Sequence, residues 1–97
     1  MLRHIVMINF LEKETRAVVS VETKNMLLAL EKSIEPLLKM EVGLNFSKKP
    51  SAFDLVLVAD FEDEHGLNVY RDHPEHIKVL NYLKTVIEKT AVVDYII

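Results

Sequence analysis

With 97 residues the chain makes one domain, spanning 1–97, because a second core would have too little polypeptide to enclose it. Twelve Lys and Arg against fifteen Asp and Glu leave a net charge of −3, and no basic block exceeds Lys48-Lys49, which excludes a nucleic-acid footprint. The absence of Cys excludes disulfides, thiolate nucleophiles and Cys-ligated metal centres, and suits a reducing cytoplasm.

Residues 2 to 10 are β-branched and apolar and predict a first strand, in which alternation puts Leu2, His4, Val6, Ile8 and Phe10 on one face. The apolar run is soon broken by Asn9, Glu12 and Lys13, so it predicts neither a signal peptide nor a membrane span. From Glu14 to about Glu35 there is no Gly or Pro, and Met26 or Leu27, Leu30, Ile34 and then Leu37 recur at spacings of three or four, which predicts an amphipathic helix that Pro36 ends or tightens in its last turn. Thr15 and Ser20 are both possible caps for this helix. Leu38 to Phe46 alternates as a second strand, Ser47 to Ser51 is a turn, and Phe53 to Phe61 returns as a third strand, apolar on both faces at its middle. Glu62 to Arg71 is polar, with short helical character around Leu67 and Tyr70. Pro74 suits the first turn of a second helix, expected to run to about Lys89 with Leu80, Leu83 and Ile87 toward the core. Ala91 to Ile97 is the fourth strand.

The order β-α-β-β-α-β predicts an α+β, ferredoxin-like arrangement: a four-stranded antiparallel sheet with its helices on one face. Ile5 and Met7, Val56 and Val58, and Val92 and Ile96 are then expected to make the opposite face apolar as well. A second copy, packed sheet against sheet about a two-fold axis, is the cheapest cover, which predicts a homodimer.

The densest chemistry lies in Tyr70-Arg71-Asp72-His73-Pro74-Glu75-His76. His76 falls in the first turn of the second helix, where the positive helix end disfavours imidazolium and leaves a neutral base. Tyr70 precedes it by a turn and a half and would act as donor to an oxyanion, making His76 and Tyr70 the candidate catalytic pair. A Tyr and a His at a helix entry also commonly satisfy each other or nearby backbone. His73, just before Pro74, reads chiefly as a cap, and His4 sits on an apolar strand face where a polar group must be paired or line a cavity. Asp54, Asp60 and Asp94 lie on predicted strands, where Asp is disfavoured, so each is at a strand end, paired or functional; for Asp94 the simplest partner is a cation across the dimer. The spacing of His73 and His76 makes no convincing metal set.

Taken in order, the stretches His4 to Phe10, Met40 to Phe46 and Phe53 to Phe61, the motif Tyr70-x-x-His73-Pro-x-His76 and the ending Val93-Asp94-Tyr95 resemble the stress-responsive dimeric α/β-barrel (Dabb) family over essentially the whole chain. The resemblance implies ferredoxin-like subunits whose sheets associate into a barrel, and no cofactor. Related barrels host isomerases, polyketide cyclases, cofactor-free oxygenases and proteins of unknown role. In cyclases of the olivetolic acid type the first-strand His, the Tyr and the last His of the motif line the cavity, with the last His as base and the Tyr on the reacting carbonyl. Those roles carry over onto His4, Tyr70 and His76. Asp54 stands where these cyclases have a further His, a departure that would repel an enolate rather than steady it.

The leading expectation is a cytoplasmic homodimer with a small hydrophobic pocket between sheet and helices, entered near His76, that binds a small hydrophobic carbonyl compound. His4, Asp54 and His73 are its candidate ligand-binding residues, and no nucleic acid or membrane is a partner. The alternative is a cofactor-independent cyclase, isomerase or lyase with a His base and a Tyr beside a carbonyl. A cofactor-free monooxygenase is third, disfavoured by the absence of Trp.

Overall fold

The period-two strand Leu2–Phe10 (β1) becomes the centre of the sheet because both of its edges find partners. A computed structural model describes residues 1–97 and adds α1 (Arg16–Ser33), β2 (Lys39–Leu44), β3 (Leu55–Phe61), α2 (Glu64–Asp72), α3 (Pro74–Leu83) and β4 (Ile87–Ile96). The strand order is β2-β3-β1-β4 with every neighbouring pair antiparallel, which is the ferredoxin-like fold. Leu2, Ile8 and Phe10 of β1 face the helices, joined by Leu55, Leu57 and Phe61 of β3. Against them α1 sets Leu27, Leu30 and Ile34. Burying each such side chain stabilises the fold by about 1.5 to 3 kcal/mol.

Three expectations change. The polar stretch after β3 is a full helix, α2, started by Asp63, whose side chain accepts from the Gly66 amide at 3.0 Å. Secondly, α3 stops at Leu83 rather than near Lys89; Val79 and Leu83 are its buried residues, Leu80 is 38% exposed, and Ile87 opens β4. Tertiary pairing wins here. Long β1 offers its outer edge as far as Phe10, which pairs with Ile87, and the Leu11 amide donates to the Val86 carbonyl at 2.8 Å. The β-branched run Thr85-Val86-Ile87 also prefers extended backbone.

Thirdly, Val92 and Ile96 lie on the helix side, because the register sets them opposite Val6 and Leu2, and residues directly opposite across antiparallel strands share a face. The open face therefore takes Ala91, Val93 and Tyr95 from β4 beside Ile5, Met7, Val56 and Val58. It is apolar along its middle and closed at one end by Arg3, which holds Asp60 at 2.8 and 3.0 Å. That ion pair keeps the Asp60 carboxyl below its ordinary range. The exposed surface, 6357 Å², exceeds the roughly 5,700 Å² expected for this mass. No helix is long and apolar enough to cross a membrane.

Candidate functional site

His4 lies on the helix side of β1, opposite Ala59 of β3 and Asp94 of β4. The small Ala59 leaves the space above the sheet to the Tyr70 ring, which descends from the last turn of α2 and is 1% exposed. Tyr70 packs against Phe61 at 5.1 Å between ring centroids, against His76 at 4.2 Å and against His4 at 6.5 Å. The junction of α2 and α3 makes this possible. His73 ends one helix and starts the next: its amide donates to the Tyr70 carbonyl at 3.2 Å, and its Nδ1 accepts from the Glu75 amide at 3.1 Å. With Pro74 as first helical residue, the last turn of α2 and the first turn of α3 present Tyr70 and His76 to one spot.

Both imidazoles are held by Nδ1. In His4 this atom lies 2.5 Å from an Asp94 carboxylate oxygen; in His76 it lies 3.1 Å from the Arg71 carbonyl. A carboxylate and a carbonyl only accept, so Nδ1 carries the hydrogen in each, and in the neutral His76 ring Nε2 is left with its lone pair. Arg71 ties the two together, since its guanidinium reaches the other Asp94 oxygen at 3.3 Å while its carbonyl holds His76. Burial pushes the His76 imidazole below its ordinary value, opposed by the Arg71 carbonyl and reinforced by the positive charges around it. Burial raises the Tyr70 hydroxyl, keeping it a protonated donor. The result is a neutral acceptor and a neutral donor side by side, the pair required to take a proton from carbon while steadying the oxygen of an adjoining carbonyl.

The other two candidate residues lie outside this cluster. His73 is committed to its capping bond. Asp54 is at the far end of the sheet, about 20 Å along β1 from His4 at 3.3 Å per residue, where it accepts from the Phe10 amide at 2.9 Å and from Arg16 at 3.4 Å. The five main clefts are lined by residues other than His4, Tyr70 and His76. The cluster instead borders an apolar shelf on β4, where Val92 and Ile96 are 53% and 71% exposed. No group of three His, Cys, Asp or Glu side chains is arranged to hold a metal ion.

The family model of the stress responsive A/B barrel domain, Dabb, matches residues 2–97. The chain belongs to the Dabb family. No curated protein matches it. Among solved structures, this Dabb chain is similar to a dimeric protein of unknown function and ferredoxin-like fold from Bacteroides fragilis, at 29% identity and TM-score 0.89 over 99% of this chain and 95% of that one. A dimeric ferredoxin-like protein of unknown function from Jannaschia is 24% identical, with TM-score 0.81 over 99% and 98% of the two chains. A protein from Arabidopsis thaliana is 19% identical, with TM-score 0.85 over 100% and 95%. At these lower identities the likeness is one of fold.

Sequence reasoning gave one member of the Dabb cluster a different partner and left out another. Asp94 serves His4 within its own chain rather than a cation across a dimer, and Arg71 had drawn no role. An Asp in the β-branched strand Ala91 to Ile97 was the available signal, and the His4–Asp94 register was what converted it into a partner.

Proposed function

We propose that this Dabb chain works in the cytoplasm as a homodimer and moves a proton at the carbon next to the carbonyl of a small hydrophobic compound, without a cofactor. His76 Nε2 takes the proton from that carbon while the Tyr70 hydroxyl donates a hydrogen bond to the carbonyl oxygen as it becomes an enolate. The same imidazolium returns the proton to carbon, or to a leaving group, so that no net charge is left behind. His4, oriented by Asp94, positions the ligand over the Val92 and Ile96 shelf. The observation that carries the reading is the His76 ring, fixed through Nδ1 by the Arg71 carbonyl and set 4.2 Å from the Tyr70 ring. The dimer rests on the apolar open face, where Val93 is 57% exposed, and on the relatives described as dimeric.

The test is exchange of α-hydrogens for deuterium in a panel of hydrophobic methyl ketones, followed by proton NMR in heavy water. Wild type should accelerate exchange, and His76→Gln should lose about 100-fold or more. The exposed Val92 and Ile96 shelf also suits a carrier that holds the same ligand without turnover. In that case His76→Gln weakens binding modestly and no protein accelerates exchange.

A further inference from the structure

At the opposite end of the sheet from His76 the fold gathers positive charge that the chain as a whole lacks. A cleft of about 450 Å³ is lined by Lys13, Arg16, Lys48, Lys49 and Lys89, with Asp54 and Glu88 as its only carboxylates. Five of the twelve Lys and Arg of a chain with net charge −3 thus meet in one place. They come from four separate segments: the connection after β1, the start of α1, the loop between β2 and β3, and β4. Asp54 is already committed to the Phe10 amide and to Arg16. Lys13, Lys48, Lys49 and Lys89 belong to no ion pair, although Lys89 is steadied by the Phe53 ring, 5.4 Å from its ammonium. Like charges around one cleft repel, and an anion between them removes the repulsion. The first turn of α1 adds to the field: it contains no acidic residue, and Thr15 makes no side-chain capping bond, so the positive end of an 18-residue helix stands open at Arg16.

A second groove adjoins the first and shares Arg16, Asn45, Ser47, Lys48 and Asp54 with it, but its remaining walls are largely apolar. Phe46, 96% exposed, stands over it with Val21 and Leu44, 48% and 39% exposed. This apolar strip runs directly into the cationic half.

We infer that the double cleft binds a phosphorylated small molecule carrying two or more negative charges, with its phosphates among Lys13, Arg16, Lys48, Lys49 and Lys89 and its apolar or aromatic body against Phe46. The volume suits one or two phosphate groups, and the net negative charge of the chain repels a long polyanion. The site is independent of the proton-transfer cluster and stands or falls without it.

Amide NMR titrations of the full chain with inorganic pyrophosphate and with ADP, at one fixed salt concentration, provide the test. Saturable shifts should centre on residues 13, 16, 47–49 and 89, with ADP binding the more tightly. Lys48→Glu with Lys49→Glu should weaken both ligands about tenfold or more, and Lys13→Glu provides the same readout from another segment. Phe46→Ala should weaken ADP and leave pyrophosphate unchanged. Absence of saturable shifts, or affinities indifferent to the charge reversals, overturns the site; equal affinity for the two ligands overturns the role given to Phe46.

Discussion

Replacing Tyr70 by Phe separates a hydroxyl kept for a ligand from one that holds the fold together. The ring is 1% exposed and packs on Phe61, His76 and His4, so its apolar mass is structural. The oxygen has no such commitment: burial is the sole cause of its raised pKa, with no hydrogen bond contributing, and the only fully enclosed unpaired side-chain oxygen is Thr23 Oγ1. A hydroxyl taken wholly from water without a partner costs roughly 1 to 3 kcal/mol in proteins, and one that keeps a little solvent costs less. Tyr70→Phe is therefore expected to leave stability unchanged or raise it by about 0.5 to 1 kcal/mol, which is roughly 2 to 8 °C in Tm for a domain of this size. Tyr70→Ala, which also removes the ring, should cost about 3 to 5 kcal/mol. Urea unfolding at fixed protein concentration measures both, and ketone exchange should fall with Tyr70→Phe while stability holds. A loss above about 1.5 kcal/mol for Tyr70→Phe would refute the reasoning, because it would mean that the hydroxyl already has a structural partner.

Burial holds His76 in the folded chain below the ordinary 6.5, so on acidification the unfolded chain takes up this proton first. Stability should fall as pH drops from about 6.5 through the lower folded value, and His76→Gln should flatten that part of the stability profile. Asp94→Asn removes the negative charge and leaves one accepting oxygen where His4 and Arg71 now use two; exchange should slow at least about tenfold while urea unfolding shifts little, the Asp94 side chain being 32% exposed. Val93→Asp sets a charge opposite Ile5 at the middle of the open face. Sedimentation at micromolar concentration should change from a dimer to an 11.2 kDa monomer, and a wild-type protein that already sediments as a monomer would contradict the proposed pairing.

The period-two patterns of β1 and β2 and the apolar run of β3 made most of the sheet legible, because alternation in a half-buried strand reports on which face is covered. The end of α3 was not legible: Leu83 to Ile87 keeps a helical spacing, and only the length of β1, which needs a partner as far as Phe10, turns Ile87 into strand. The same register decided the sides of Val92 and Ile96, since a shift of one residue exchanges the faces of β4. In α1 the apolar pattern misleads at the start, where Ser20 and Thr23 are buried while Val18 and Val21 face outward. His4, Tyr70 and His76 could be picked out from their types and places. The Asp94 and Arg71 network could not, because His4 and Asp94 are 90 positions apart and meet only through strand pairing. Asp54 shows the converse: its place opposite a histidine of related cyclases said nothing of its bond to the Phe10 amide.

Proton transfer in this site depends on His76 being held neutral, with Nδ1 protonated and Nε2 free beside Tyr70. Nitrogen-15 NMR of histidine-labelled protein, titrated from pH 8 downward, tests it directly. The His76 ring should keep its hydrogen on Nδ1 and protonate only below the ordinary 6.5. A ring with its hydrogen on Nε2, or one that titrates at or above that value, would contradict it.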